Sequence, residues 1–387
     1  MKKYFAMTAI AMAISTAAHA DVRINGFANL VGGMTSSDDT LYGYDDDIDF
    51  SQGSLFAIQV SGDINDKMTA TAQVLARGEN DYDPDFEWAY LSYAATDNVT
   101  VTAGRFRLPL FTYSSSLDVG YSYHWLSVPS VVYDVPFNNM DGIKVSVTGL
   151  AGDWDYLLDL AYGQFKGETF GADNVGDNTG LVSLQFGDGE WTLRGVYGRT
   201  STTIDLTQST DAVGLAVGQG FAALESLGFT ELAGNLKIED DTGEFVGFSV
   251  MYDNFDWFVG AEYTNIKVDD SFANDDDAYY ITAGKRFGKW TPALTYESFE
   301  SSGDVKYADK IAAIGSAPLP PELIAQLVGV AAGSQLAQLD EYNVLTATLR
   351  YDFDTNIAFK ADISRYSDDV DDSADATLVR VGVNYVF

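Results

Sequence analysis

The sequence contains no cysteine. That excludes disulfide staples, cysteine-based zinc sites and thiol nucleophiles. Histidine is almost missing too, with only His19 and His124. A His-based lipase or protease would have very little to work with, and no Gly-x-Ser-x-Gly elbow accompanies these residues. Basic residues are scarce, with 22 Lys and Arg against 57 Asp and Glu and a formal net charge of −35. So acidic a chain is a poor partner for nucleic acid, which demands a basic surface. Beyond the first 20 residues, no apolar run approaches the roughly 18–20 residues of a membrane helix. Proline is sparse, at 8 residues.

The N-terminus reads as a cleaved secretory signal over residues 1–20. Lys2 and Lys3 supply the positive region, Tyr4 to Ile14 the apolar run, and Ala18-His19-Ala20 the small-x-small site before Asp21. Residues 21–387 then form a single domain, whose one histidine is His124.

What is abundant is short alternating strands. The closing stretch places Val379, Val381, Val383, Tyr385 and Phe387 on one face and Arg380, Gly382 and Asn384 on the other. Val22, Ile24, Gly26, Ala28 and Leu30 repeat the pattern, as do Phe56, Ile58 and Val60, and Met68, Ala70, Ala72, Val74 and Ala76. A soluble sheet ending on Tyr-Val-Phe would leave a sticky edge. A transmembrane β-strand of about 10 residues has this pattern without that hazard. The alternation recurs to give about 16 strands. It falters at Phe86–Tyr93 and Ala278–Phe287, where apolar residues occupy both faces.

Tight Asp/Asn/Gly turns alternate with longer acidic segments at 35–53, 79–84, 108–140, 167–178, 201–243, 268–277, 300–340 and 367–375. Trp154, Trp191, Trp257 and Trp290 each follow a short turn, which sets an indole at one depth in four hairpins. The expected fold is all-β. It is a transmembrane antiparallel barrel with short turns on one rim, long loops on the other, and both termini on the short-turn side. Residues 211–236 and 308–339 read as short helices within long loops, the second opening on Pro320-Pro321-Glu322.

The terminal aromatic-x-Phe of Tyr385 and Phe387, the long third loop at 108–140, Ala103-Gly104-Arg105 before it and Asp141-Gly142-Ile143 after it resemble the general porins of Gram-negative outer membranes. The resemblance implies a homotrimer of water-filled barrels in the outer membrane, touching lipid and lipopolysaccharide and passing small hydrophilic solutes and ions. It also implies a third loop folded into the pore, and an assembly signal at Tyr385 and Phe387. The family's Pro-Glu-Phe-Gly-Gly signature is missing from that loop. Leu108-Pro109-Leu110-Phe111 and Tyr121-Ser122-Tyr123-His124-Trp125 stand there instead.

Strand parity sends Arg23, Arg77, Lys144, Arg194, Arg350, Lys360 and Arg380 inward, together with Glu87, Asp159, Glu262 and Asp362. Arg105 and Arg107 share parity with the outward Val101 and Ala103. An arginine facing mid-bilayer costs roughly 2–4 kcal/mol. A bulge or strand end is therefore expected to turn both toward the pore or rim. Asp118 and Asp134 are the acids of the third loop available to oppose them. Wall arginines facing loop carboxylates would set up a transverse field that sorts solutes by charge.

The loop-tip acids, such as Asp45-Asp46-Asp47 and Asp275-Asp276-Asp277, read as solvated tips, as a cation funnel, or as divalent-ion bridges to lipopolysaccharide. They lack EF-hand spacing, and no motif asks for a metal or cofactor. The expectation is thus a passive, weakly cation-selective channel rather than an enzyme. The alternative is a substrate-specific channel, for phosphate-like anions along an arginine track or for sugars along Tyr113, Tyr121, Tyr123 and Trp125.

Overall fold

A computed structural model describes residues 22–37 and 41–387. The signal region expected at 1–20 lies outside the described residues. The strands are β1 (Val22–Thr35), β2 (Leu55–Asn65), β3 (Met68–Arg77) and β4 (Pro84–Thr96). β5 (Val99–Arg107) and β6 (Asn139–Ala151) bracket the third loop. β7 (Trp154–Thr169), β8 (Ala172–Gly187), β9 (Trp191–Ile204) and β10 (Ile238–Asp253) follow. β11 (Trp257–Val268), β12 (Asp275–Lys285) and β13 (Trp290–Ser302) come next, then β14 (Asp340–Asp354), β15 (Ile357–Asp368) and β16 (Ala376–Val386). Each strand pairs antiparallel with its neighbours in sequence, and β16 pairs with β1, so the sheet is a closed barrel of sixteen strands.

Parity holds along most of the wall. On β2, Phe56, Ile58 and Val60 are exposed while Ala57 and Ser61 are buried. Ile24 and Leu30 of β1 are each 64% exposed on the exterior. An apolar belt of this kind is stable only against lipid or protein. Among the described residues no helix is long and apolar enough to cross a membrane.

Trp191, Tyr252 and Trp257 form a chain of ring contacts at 4.8 and 4.9 Å, and Trp290 meets Tyr351 at 4.4 Å. These rings mark the short-turn rim, where an amphipathic aromatic suits a membrane–water interface.

One expected loop is not a loop. The segment 167–178 was expected to be a long connection, but β7 and β8 pair through Thr169 and Ala172, leaving a two-residue turn at Phe170-Gly171. Both turn residues have positive φ, 53° and 68°, as this hairpin turn requires. Polar residues here lack the membrane alternation because the hairpin continues past the apolar belt.

Helices form in both expected insertions: Ala212–Ser226 and Thr230–Leu236 in one, Ala308–Ile314 and Pro321–Leu336 in the other. Asp211 caps the first by accepting from the Val213 and Gly214 N–H groups. Phe221, Leu224, Leu236, Ile314 and Leu327 bury one another above the barrel, with Phe272 between the helix pairs.

The barrel closes on a reciprocal pair: Gly26 N–H to Phe387 O and Phe387 N–H to Gly26 O, both 2.9 Å. The Phe387 ring lies over the space a Cβ at Gly26 would fill, stacked near Phe56 and Tyr385 with centroids 6.1 and 5.5 Å apart. Gly26→Leu is therefore expected to displace that ring at a cost of about 1–3 kcal/mol. The folded, heat-modifiable fraction on gel electrophoresis should fall, while Ala28→Leu two residues on should fold normally.

Candidate functional site

The third loop, 108–138, follows β5, which holds one backbone position that favours glycine. Gly104 has φ +125°, and a Cβ there would press on the Ala89 carbonyl. Inside the barrel the loop's peptide groups need partners, and the inward wall side chains supply them.

Lys360 donates to the Gly120 carbonyl and to that of Trp125 at 2.5 Å. Arg350 donates to Tyr121 O at 2.8 Å and Tyr123 O at 2.6 Å, with its guanidinium 4.8 Å from the Tyr121 ring centre. Arg194 donates to Pro109 O. Arg380 donates to Ser127 Oγ at 2.9 Å while holding Asp362 through two bonds of 3.1 and 2.9 Å. Glu262 accepts from the Thr112 N–H at 2.9 Å, Tyr133 Oη at 2.6 Å and Tyr280 Oη at 3.2 Å.

A four-charge cluster ties the loop to β3, β4 and β5. Arg77 meets Asp118 at 2.8 Å and Glu87 at 3.2 Å. Arg107 meets Glu87 at 2.9 Å and also Asp118. Two guanidinia against two carboxylates leave little net charge. Charge-assisted bonds of this kind are stronger than neutral ones.

Between these anchors the loop packs as a core. Phe111, Tyr133, Trp125 and Val132 bury against inward Leu181, Val196, Phe245 and Tyr280. Tyr113 meets Tyr123 and Trp125 edge-on at 6.1 and 5.6 Å. His124 sits between Trp125 and Phe258, 3.9 and 4.6 Å between ring centres, with Nε2 3.1 Å from Thr282 Oγ1. Burial pushes its imidazole well below the ordinary value, helped by nearby Lys360, so it stays neutral.

The loop separates two cavities. The one toward the long-loop rim is about 380 Å³, bordered by Leu108, Leu110, Val131, Asp134, Val135 and Phe245. The other, toward the short-turn rim, is about 390 Å³, bordered by Pro109, Phe111, Lys144, Asp159 and Arg194. Alternate residues of 108–111 thus face opposite compartments. Lys144 lies 5.5 Å from the Phe106 ring centre, and Asp159 accepts from Ser146 Oγ at 2.5 Å. Arg23 sits at the short-turn rim, paired with Asp63 at 2.6 Å. Trp88 and Tyr90 also border the lower cavity. The extra residue Glu87 shifts the register of β4 there, which turns both rings inward.

Two expectations fail. Arg107 does turn into the lumen at its strand end, but Arg105 does not. It stays on the outer face, where Asp141 directly across β6 holds it through bonds of 3.0 and 2.9 Å. No bulge is needed because the carboxylate removes the lone charge. Asp134 does not oppose the arginines; it borders the upper cavity. It is open to the lumen yet surrounded by protein, and that desolvation raises its carboxyl above the ordinary range. Residues missed by parity include Tyr133, Tyr280, Asp276 and Asp340. The broken alternation at Ala278–Phe287 was the available signal for Tyr280.

Residues 6–316 match the model of the Gram-negative porin family. The chain belongs to that family. No curated protein matches the sequence. Among solved structures, the outer membrane channel DcaP of Acinetobacter baumannii is similar at TM-score 0.57 and 11% identity, covering 96% of this chain and 99% of that one. An anion-selective porin from Comamonas acidovorans matches at 0.56 and 12%, covering 95% and 100%. The trimer form of OmpT from Vibrio cholerae, folded in vitro, matches at 0.53 and 12%, covering 95% and 99%. At these identities the likeness speaks for the fold alone. The porin is an outer-membrane channel.

The Arg105–Asp141 pair gives a direct check. Asp141→Ala should leave an unpaired guanidinium on the outer wall of the porin and destabilise it by about 2–4 kcal/mol. Arg105→Met combined with Asp141→Leu should recover most of that loss in urea titrations of the vesicle-inserted protein.

Proposed function

We propose that this porin passes small hydrophilic solutes and ions passively, with a weak preference for cations, and does so as a homotrimer. The carrying observation is how the lumen charges are used. The wall cations Arg77, Arg107, Arg194, Arg350, Lys360 and Arg380 are engaged by carboxylates or by loop carbonyls. Asp134, Asp276 and Asp340 border the upper cavity, and among the described residues none of them makes an ion pair. Carboxylates left without basic partners favour cations at the entrance. Glu87, Asp118, Asp159 and Glu262 act in this reading chiefly as loop anchors and local counter-charges.

The alternative channel for phosphate-like anions needs a run of free arginines, and the wall arginines here are occupied. The sugar-type reading needs exposed rings. Tyr123 and Trp125 are buried in the loop core, which weighs against it.

Trimer formation is supported by the outer wall. β5 has nine residues where β7 and β8 have sixteen, and the outward ion pair sits on that lower side. An ion pair suits a face covered by another copy better than one bathed in lipid tails. Tyr385 and Phe387 fit an assembly role, since they complete the closing seam. Lipid and lipopolysaccharide are the surroundings this reading assigns to the apolar belt and the acidic loops.

Reversal potentials of single channels in a KCl gradient test the selectivity. The expected sign is a modest cation preference, with conductance rising almost linearly with salt. Saturation by millimolar phosphate or sugar would overturn the reading. Because desolvation raises the Asp134 carboxyl, it protonates at a higher pH than an ordinary aspartate. Cation preference should begin to drop above the ordinary carboxylate range, and Asp134→Asn should weaken that onset.

A further inference from the structure

The upper cavity does not look like a path for hydrophilic solutes alone. Its lining is dominated by Leu110, Val131, Val135, Phe137, Leu181 and Phe245. Its volume of about 380 Å³ falls in the range of small-molecule sites, roughly 300–1,000 Å³. The space is partly made by missing side chains: Gly198 and Gly243 border it from β9 and β10. A water-filled vestibule gains nothing from such a lining. A solute with an apolar body gains by burying that body against it.

The charges at this cavity select a sign. Asp134 of the third loop, Asp276 of β12 and Asp340 of β14 border it, and among the described residues none of them makes an ion pair. Arg199 and Lys267 also border it, but they share parity with the exterior residues Tyr197 and Tyr263. There Arg199 meets Thr242 at 3.3 Å and Lys267 meets Glu244 at 3.0 Å. The acidic loop tips extend the same sign outward and would concentrate cations at the mouth.

We propose that the cavity between the third loop and the long-loop rim binds amphipathic organic cations, an aromatic body against the Leu–Val–Phe lining and an ammonium toward Asp134, Asp276 and Asp340. This deepens the cation-preferring channel reading by naming a solute class, and it rests on that reading for access only. Binding itself requires only the folded barrel.

Calorimetric titration of the detergent-folded protein tests it, with benzyltrimethylammonium as the probe. Tetramethylammonium, benzyl alcohol and benzoate serve as comparisons. The aromatic cation should bind at least about tenfold more tightly than any of the three. Asp134→Asn with Asp340→Asn should lower its affinity about tenfold, and Leu181→Ser should lower it independently. Equal binding of tetramethylammonium would reduce the effect to charge alone. Equal binding of benzoate or benzyl alcohol would reduce it to grease alone. Either result, or no heat with any probe, overturns the proposal. These outcomes are separate from the KCl measurements, because a channel that conducts KCl normally but binds no probe refutes the site and leaves the channel intact.

Discussion

Every backbone polar group of this chain that enters the membrane needs a partner inside the protein. In hydrocarbon an unsatisfied N–H or C=O costs several kcal/mol, so a strand edge cannot be left open. Sixteen strands satisfy one another only because β16 finds β1. The seam is finished at its last residue, where Phe387 and Gly26 exchange both bonds and the aromatic ring takes the room that glycine leaves. The closed wall then sets the terms for everything inside it.

The third loop meets the same demand in a different setting. It carries an irregular backbone into the lumen, where neither strand partners nor free water are assured. Lys360, Arg350 and Arg194 each give their donors to its carbonyls, and Glu262 takes an N–H and two hydroxyls. Cations suit this work because they have donors and no acceptors to leave unfilled. The consequence for transport is indirect. Positive charge used to hold the loop is screened by its partners, which in the proposed reading leaves the carboxylates without such partners to set the sign at the entrance.

Much of this was legible because a membrane strand has a strict period of two. The closing strand, the strand number and the inward position of Lys360 or Arg380 follow from that period alone. It fails where a local event shifts the register. The extra residue Glu87 turns Trp88 and Tyr90 into the lumen; the faltering alternation over Phe86–Tyr93 marks the place, but not which residue is extra. Arg105 kept its parity against an energetic objection that assumed it was alone. Its partner Asp141 lies 36 residues away and becomes a neighbour only once β5 and β6 are paired in register. The hairpin at Phe170-Gly171 reads as a loop because strand pairing above the membrane needs no apolar face.

The breaks in alternation carry information of their own. Ala278, Tyr279, Tyr280 and Ile281 are apolar on both faces, and inward Tyr280 is fully buried against the third loop. An inward apolar residue would be wasted against water, so an apolar interior position signals protein, or an apolar solute, on the other side. Tyr280 and Val196 have protein there. Leu181 and Phe245 serve both purposes, packing on the loop and bordering the upper cavity. The segment 108–111 is where the two environments meet. Leu108 and Leu110 face the apolar vestibule, and Pro109 and Phe111 face the more polar lower cavity. A solute that settles in the first must therefore displace or pass an extended strip of chain held at Pro109 by Arg194 before it reaches the second.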